Sequence, residues 1–383
     1  MEGDAHRSCY RYTVSAAVSW RNGAAARFRL TRSAGLPISP PRTGFPPASE
    51  FAVADPAVAY QTARGRLFVG KTEDVLPAPA LDPWRGRVQL LFTSPPFPLA
   101  RQKKYGNLKG DAYADWLAAF AEPFARLLTP TGSIVLEVGN GWNQGSPTMS
   151  TSGIKALLAF QEAAGLHLCQ EFICYNPARL PTPAEWVAVR RERVKDAFTR
   201  VWWLSPTPHP KADNRKVLTE YSEAMRKLLK KGSYTGGRRP SEHQVGSDSF
   251  LADNGGAIPP NVLVPPRADE LVEPQAVLPI ANTASRTDYH RLCRQRNVAR
   301  HPAAMPDLLV EFFARFLTDP GDVILDPFAG SNTTGWVAER LGREWVGIEA
   351  NPEYAEASRV RFDAGHPARG PVERESAAAR KAA

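Results

Sequence analysis

Hydrophobic residues in the first half of this chain fall into strand-like segments and helical stripes that follow one another in turn. Four segments rich in apolar residues have the length of buried strands and lie at residues 67–70, 88–92, 134–138 and 166–175. Two segments with apolar residues three and four positions apart predict helices at residues 113–128 and 154–164. Strands that alternate with helices are typical of an α/β fold in which parallel strands are expected.

The same pattern returns near the other end of the chain. An amphipathic stripe predicts a helix over residues 306–318, and an apolar strand at 322–326 runs into a loop of small residues. A helix at 333–341 and a strand at 345–348 follow. We expect the two ends of the chain to complete one sheet together.

The stretch between these halves has a different character. It opens on the breaker cluster Ser205 to Pro210 and continues as a basic helix that Gly232 ends. The apolar residues predicted to share one face of that helix are Leu218, Tyr221, Met225, Leu228 and Leu229. Residues 233–266 are rich in Gly, Pro and Ser, which predicts loops and short strands.

The net charge of +9 is localised in and just before this stretch. Residues 179–239 hold 15 Lys or Arg against 6 Asp or Glu, whereas the remainder balances at 33 against 33. Such a segment is expected where a protein follows a phosphate backbone, although a solvated charged face has the same composition. No apolar run is long enough to cross a bilayer, so a membrane role is not expected.

Thr93-Ser94-Pro95-Pro96-Phe97 follows the strand at 88–92 and is suited to holding an exocyclic amine. The Ser94 hydroxyl and the Pro95 carbonyl can accept hydrogen bonds from an amino group, and the prolines restrict the backbone. Phe97 offers a flat apolar face for a flipped-out base. An ordinary rigid turn at a strand end remains the alternative.

A second candidate site follows the strand at 322–326. The loop Asp326-Pro327-Phe328-Ala329-Gly330-Ser331 enters a helix, and the next strand ends in Glu349, where nucleotide sites of Rossmann type place a ribose-binding carboxylate. The loop lacks the full GxGxxG pattern and has no lysine for phosphates. The pattern therefore favours an adenosine-like cofactor without phosphates.

These motifs resemble those of the beta-class DNA amino-methyltransferases of restriction and modification systems, and most closely the PvuII-type N4-cytosine methyltransferases. The resemblance covers roughly residues 57–363. The matching segments, in chain order, are TSPPF followed by Lys103-Lys104-Tyr105-Gly106, then Tyr175-Asn176-Pro177, Ile258-Pro259-Pro260-Asn261-Val262-Leu263, His301-Pro302-Ala303 and DPFAGSNTTG. The resemblance implies a Rossmann-like S-adenosylmethionine-dependent methyltransferase fold with a mixed seven-stranded sheet and a smaller DNA target-recognition insert.

It also implies roles for individual residues. The catalytic residues are Ser94, Pro95, Pro96 and Phe97. The residues for S-adenosylmethionine are Asp326, Pro327, Phe328, Ala329, Gly330, Ser331, Glu349 and His301, although His301 could form a purely structural turn. No metal is implied.

The candidate DNA-binding residues are less specific. Lys103, Lys104 and Tyr105 could clamp the backbone beside the target or form a solvated loop. Asn176 and Arg179 are expected near the target base, and Arg238, Arg239 and His243 have donors for guanine edges or phosphates.

The implied organisation has five parts. Residues 1–55 form a flexible basic extension, 56–204 the catalytic half, 205–290 the target-recognition region, 291–365 the cofactor half and 366–383 a flexible tail.

The predicted function is site-specific methylation of cytosine N4 in double-stranded DNA by base flipping and direct transfer, as the modification enzyme of a restriction-modification system. The expected partners are DNA and a cognate endonuclease, in the cytoplasm of a bacterium or archaeon and associated with its nucleoid. No cysteine follows a proline, which argues against methylation at cytosine C5. Adenine N6 methylation stays open, although relatives specific for adenine usually have Asp or Asn at the position of Ser94. A non-catalytic DNA-binding protein is the alternative of another class.

Overall fold

A computed structural model of the protein describes residues 55–98, 108, 110–176, 179–264, 278–279 and 284–363. Lys103, Lys104 and Tyr105 lie outside these ranges, as do the expected tail and all but the last residue of the expected N-terminal extension.

The described residues form twelve strands and nine α-helices. The strands are β1 (Ala57–Gln61), β2 (Gly65–Val69), β3 (Val88–Thr93), β4 (Leu128–Gly139), β5 (His167–Tyr175), β6 (Phe198–Ser205), β7 (Gly237–Arg238), β8 (Gln244–Val245), β9 (Val262–Val264), β10 (Leu278–Pro279), β11 (Val323–Asp326) and β12 (Glu344–Glu349). The helices are α1 (Thr72–Val75), α2 (Gly110–Ala118), α3 (Ala121–Leu127), α4 (Ser152–Ala163), α5 (Glu223–Lys231), α6 (Ala284–Arg296), α7 (Asp307–Leu317), α8 (Thr333–Arg340) and α9 (Pro352–Ser358).

One large sheet organises the described residues, with strand order β1-β2-β12-β11-β3-β4-β6-β5-β9-β10. Its centre is parallel, whereas β1 runs antiparallel to β2 and β6 runs antiparallel to both β4 and β5. The predicted mixed α/β sheet is confirmed, but the expected number of seven strands is wrong because the sheet has ten. The three additional strands lie at the edges: β1 pairs with β2, and the short β9 and β10 extend the sheet beyond β5.

Two apolar layers cover the faces of this sheet. On one face, α2, α3 and α4 contribute Leu117, Phe124 and Phe160 to a buried cluster. On the other, α7 and α8 contribute Phe313 and Val337 to a second cluster. Every residue of β3 is buried because both faces of that strand are covered, which explains its continuous apolar sequence.

The helix predicted over residues 113–128 is wrong in its extent. The segment forms two helices, α2 and α3, and the residues that follow α3 already belong to β4. Pro123 lies in the first turn of α3, where a missing N–H is tolerated, so this proline suits the start of a new helix better than the middle of a long one.

The basic helix is confirmed as α5, with Gly232 in the left-handed conformation (φ 66°) at its end. The assignment of Leu218 and Tyr221 to its face is wrong because Ser222 caps the helix: its hydroxyl accepts a hydrogen bond from the Met225 N–H at 3.1 Å. None of the residues of α5 is buried.

Strand connectivity identifies the ligand-binding edge of the sheet. From β11 the chain passes to β12 on one side, and from β3 it passes to β4 on the other. The boundary between β11 and β3 is therefore a topological switch point, where open α/β sheets bind ligands beyond the carboxyl ends of the strands. Within the described ranges, the helices are all too short or too polar to span a bilayer.

Candidate active site

A cavity of about 1340 Å³ lies along the carboxyl ends of β2, β12, β11, β3 and β4. The two candidate sites, which more than 220 residues separate in sequence, meet there because β3 and β11 are parallel neighbours with Leu91 opposite Leu325. Ser94 to Phe97 and Asp326 to Ser331 all line the cavity. The chain folds this way locally because each motif directly follows a buried strand.

The last residue of the TSPPF segment, Phe97, packs against the core. Pro95 is buried, and Ser94, Pro96 and Phe97 are half-buried at the cavity wall. The Phe97 ring packs over Gly139 at the end of β4, where a Cβ atom would come within 2.5 Å of the ring. Only glycine at position 139 leaves room for Phe97 in this orientation.

Asp326 joins the two motifs through its buried carboxylate, which is 3% exposed. Its Oδ1 accepts a hydrogen bond from the Thr93 hydroxyl at 2.7 Å, and its Oδ2 accepts one from the Thr334 hydroxyl at 2.6 Å. The Phe328 N–H also donates to Oδ1, at 3.1 Å. Burial raises the pKa of Asp326 to about 6, although these hydrogen bonds oppose the rise. The carboxylate thus ties the strand before Ser94 to the loop after β11.

Glu349 holds the loop from the other side. One of its carboxylate oxygens accepts a hydrogen bond from the Gly330 N–H at 2.8 Å, and the other accepts one from the Asn351 N–H at 2.9 Å. Burial raises the pKa of Glu349 above its ordinary value. Each carboxylate oxygen retains a second lone pair, so the group can still accept hydrogen bonds from a ligand in the cavity.

His301 reaches the same cavity from the segment before α7. Its ring packs against Gly330, where a Cβ would lie 3.1 Å from the imidazole, and Gly330 has a φ of +53° that other residues adopt at a cost. The ring also meets Tyr354 edge-on at 4.9 Å between centroids. Burial lowers the pKa of His301, so the imidazole is neutral near pH 7.

Phe328 serves both the core and the cavity wall. Its ring lies 5.7 Å from that of Trp116 and 5.5 Å from that of Phe120. The Trp116 indole N–H in turn donates to a carboxylate oxygen of Glu73 at 2.9 Å, and both of these residues line the cavity.

The residues of the cavity wall that sequence reasoning missed include a hydrogen-bonded pair on neighbouring strands. Glu137 on β4 lines the cavity, and one of its carboxylate oxygens accepts a hydrogen bond from the Thr199 hydroxyl at 3.0 Å. Glu137 is the one acidic residue in the apolar run of β4, which was a usable signal. Thr199 lies on β6, a strand that the sequence analysis did not predict.

The neighbouring thiol does not behave as a nucleophile. Cys174 lines the cavity, but burial in the first place raises the pKa of its thiol to about 12, with the charge of Glu137 adding to the rise. A thiol that stays protonated near pH 7 is unsuited to covalent catalysis.

The candidate DNA-binding residues separate into two groups. Asn176 and Arg179 line the cavity, and an Arg179 guanidinium nitrogen donates to the Phe198 carbonyl at 3.0 Å and lies 3.5 Å from an Asp196 carboxylate oxygen. Arg238, Arg239 and His243 do not line it. They belong to the exposed hairpin of β7 and β8, in which the Arg239 N–H donates to the His243 carbonyl at 2.9 Å.

Charge in the cavity favours a cationic ligand over a phosphorylated one. The carboxylates of Glu73, Glu137, Asp326, Glu349 and Glu353 line it, against the cations of Lys71 and Arg179. These carboxylates can accept hydrogen bonds from ribose hydroxyls and attract a positively charged cofactor, whereas they would repel a triphosphate. Groups of three or more His, Cys, Asp or Glu residues that could hold a metal are absent from the part of the chain that the structure describes.

Comparisons with known proteins agree with this arrangement. A family model described as DNA methylase matches residues 88–360. The chain is 41% identical over 306 residues to the type II methyltransferase M.PvuII of Proteus hauseri, covering 79% of this chain and 85% of that protein. The solved structure of PvuII DNA methyltransferase, described as cytosine-N4-specific, matches with a TM-score of 0.61 and 34% identity, over 82% of this chain and 90% of that one. A 65-residue stretch is 49% identical to the type II methyltransferase M2.DpnII of Streptococcus pneumoniae, over 17% of this chain and 24% of that protein.

Proposed function

This chain belongs to the DNA methylase family, and on that premise we propose that it transfers a methyl group from S-adenosylmethionine to the N4 amino group of cytosine in double-stranded DNA. The observation that carries the proposal is the adjacency of β3 and β11, which brings Ser94 and the Asp326 to Ser331 loop into one cavity.

The cofactor supplies an electrophilic methyl group on a positively charged sulfur. Glu349 would accept hydrogen bonds from the ribose hydroxyls, since its oxygens keep free lone pairs beside the Gly330 and Asn351 donors. Pro327, Phe328, Ala329, Gly330 and Ser331 would hold the methionine part, together with His301, whose ring packs on Gly330. Asp326 acts mainly by fixing this loop to Thr93, because its carboxylate is almost completely buried and accepts three hydrogen bonds from the protein.

The target amine is activated by acceptors. The N4 lone pair is delocalised into the cytosine ring, so the nitrogen attacks well only when hydrogen bonds draw it toward tetrahedral geometry. The Ser94 hydroxyl and the Pro95 carbonyl accept those bonds, Pro96 stiffens the turn, and Phe97 stacks on the flipped base. Methyl transfer is direct because the amine nitrogen is itself the nucleophile, and burial raises the pKa of the Cys174 thiol, which disfavours a covalent intermediate through it.

The amine must also lose a proton. Glu137 supplies the acceptor: it is a carboxylate in the same cavity, and the Thr199 hydroxyl orients it from the next strand. A carboxylate is a far stronger acceptor than a neutral serine, so Glu137 completes what Ser94 begins.

Two observations favour cytosine over adenine as the target base. The family resemblance implies Asp or Asn at this position in adenine-specific members, whereas this chain has Ser94. The relative that matches 79% of this chain is M.PvuII, and the solved structure of PvuII DNA methyltransferase is described as cytosine-N4-specific.

DNA contacts extend from the cavity to the basic segment. Asn176 and Arg179 lie beside the target base, while Arg238, Arg239 and His243 approach the duplex from the exposed hairpin within a target-recognition region at 205–290. Lys103, Lys104 and Tyr105 clamp the backbone. Residues 56–204 and 291–365 are the catalytic and cofactor halves.

The biological role that we propose is modification of host DNA beside a cognate restriction endonuclease that acts on the same site. Because that role requires access to the chromosome, we propose that the protein acts in the cytoplasm of a bacterium or archaeon, in association with the nucleoid.

The test is to express the chain in a host without DNA modification and to sequence the genome with single-molecule detection of modified bases. N4-methylcytosine in one recurrent short motif supports the proposal and also identifies the recognition site. N6-methyladenine in such a motif would assign the other base, and unmodified DNA from cells with folded protein would refute the methyltransferase activity.

A further inference from the structure

Leu180 is an exposed aliphatic residue at the rim of the catalytic cavity. It lines the cavity that contains Ser94, yet its residue exposure is 76%. Leu108 is the other strongly exposed leucine of the described cavity lining, at 44%. Single exposed leucines are common on protein surfaces, but one at the rim of the cavity that contains Ser94 is placed to contact a molecule that enters it.

The backbone on both sides of Leu180 is anchored. The Arg179 N–H donates to the Asn176 carbonyl at 3.2 Å, and the Leu180 carbonyl accepts a hydrogen bond from the Thr182 N–H at 2.8 Å. The Arg179 side chain is fixed by the Phe198 carbonyl and Asp196. Leu180 therefore protrudes from a defined turn.

This turn begins a loop that closes on itself between β5 and β6. The Asn176 N–H donates to the Ala197 carbonyl at 2.6 Å, and Arg179 meets Asp196, so the two ends of the loop lie together at the cavity. Between them, residues 185–195 hold four cations against two carboxylates. The cations are Arg190, Arg191, Arg193 and Lys195, and this net positive charge of the loop has the sign that a phosphate backbone attracts.

We propose that Leu180 is a wedge residue that enters the duplex and occupies the space that the flipped cytosine leaves. The inference rests on the proposed function. A base that reaches Ser94 and Phe97 must leave the helix, which removes its stacking contacts on both sides. Proteins that open base steps insert apolar side chains to replace those contacts. Leu180 has the required apolar character, lines the cavity that the base must enter, and follows Arg179 in a loop of net positive charge.

The experiment compares full-length wild type with Leu180→Ala and Leu180→Met. Each is assayed in single-turnover methylation on a duplex with the wild-type recognition site, and on the same duplex with an abasic position opposite the target cytosine. Leu158→Ala is the matched control, because Leu158 is also exposed, at 59%, but lies on α4 outside the cavity lining. Affinity for S-adenosylmethionine is measured in parallel by calorimetry.

We expect Leu180→Ala to methylate the paired duplex about tenfold more slowly or worse, and the abasic-opposite duplex at nearly the wild-type rate, since that base is already unpaired. Leu180→Met and Leu158→Ala should match wild type on both duplexes, and cofactor affinity should not change. Equal slowing of Leu180→Ala on the two duplexes, or no slowing on either, would overturn the wedge role. Failure of wild type itself to methylate any duplex would instead refute the proposed function.

Discussion

The buried guanidinium of Arg361 donates from Nε to the Ser331 carbonyl at 2.7 Å and from Nη2 to the Ser331 hydroxyl at 3.1 Å. It also lies 4.4 Å from the centre of the Tyr289 ring, and the Tyr289 hydroxyl accepts a hydrogen bond from the His301 N–H at 3.1 Å. One cation, 1% exposed, thus connects the loop after β11 with the segment that brings His301 to the cavity.

Arg361→Gln should weaken S-adenosylmethionine binding about tenfold, because loss of a buried charged donor leaves the Ser331 carbonyl unpaired. Calorimetric titration measures the effect. Arg359→Gln is the matched control, since Arg359 is two residues away and its side chain is 46% exposed. A variant with lower thermal stability but unchanged cofactor affinity would show that Arg361 is structural only.

Ser94→Ala should leave DNA and cofactor affinity within about twofold of wild type while methyl transfer falls about a hundredfold, since the hydroxyl acts on the amine in the transition state. Filter binding with labelled duplex, calorimetry and single-turnover methylation separate the three quantities. Equal loss in all three would assign the serine to the architecture of the turn.

Glu137→Gln should lower the single-turnover methylation rate about a hundredfold, because the amide cannot accept the amine proton. Thr199→Val, which removes the hydrogen bond that orients the carboxylate, should lower the same rate less. An unchanged rate in Glu137→Gln would exclude Glu137 as the proton acceptor.

Asp326→Asn should alter how stability depends on pH. Because burial raises the pKa of folded Asp326 to about 6, from 3.8 when unfolded, the native state retains the proton longer than the unfolded state does. The free energy of unfolding of wild type should therefore fall, relative to that of the variant, as pH rises from about 4 to about 6, by about 3 kcal/mol. Urea unfolding at pH 4, 5, 6 and 7 measures this difference, and parallel curves for the two proteins would contradict the shift.

Gly330→Ala should weaken cofactor binding at least tenfold and destabilise the fold by about 1–2 kcal/mol, because alanine at φ +53° is strained and its Cβ meets the His301 ring. The double variant with His301→Ala removes the clash and leaves the backbone strain. We expect it to recover part of the stability of Gly330→Ala, which thermal denaturation can measure. If the stability changes of the two single variants simply add up in the double variant, the Cβ at position 330 does not clash with the His301 ring.

Several parts of the site could be predicted from the sequence. Ser94 and Asp326 each follow a buried strand directly, and strand ends are where a parallel sheet presents its ligand-binding residues. Glu349 was predictable in the same way, as the polar end of an apolar run. Such positions depend on local pattern, which a single sequence carries.

Other parts could not be predicted because they depend on pairing between distant segments. The chain carries β6 back antiparallel between β4 and β5, and its mixed sequence, with Arg200 beside two tryptophans, has no clear two-residue alternation. Unless β6 is known to lie beside β4, the hydrogen bond from the Thr199 hydroxyl to Glu137 cannot be predicted. Arg361 looked like one more basic residue near the end of the chain, yet it is almost completely buried against Ser331.

Alone, the sequence determined the central strands β3, β4, β11 and β12, the helices α4, α7 and α8, which residues end the catalytic and cofactor strands, and which chemistry those ends can perform. These properties follow from backbone periodicity and side-chain type, which are local. Only the tertiary structure decided that β3 and β11 lie side by side, that ten strands form the sheet, and that Glu137 and Leu180 belong to the cavity. Those relations arise because strands far apart in sequence bury their apolar faces together, and a linear pattern does not specify which strand becomes the neighbour of another.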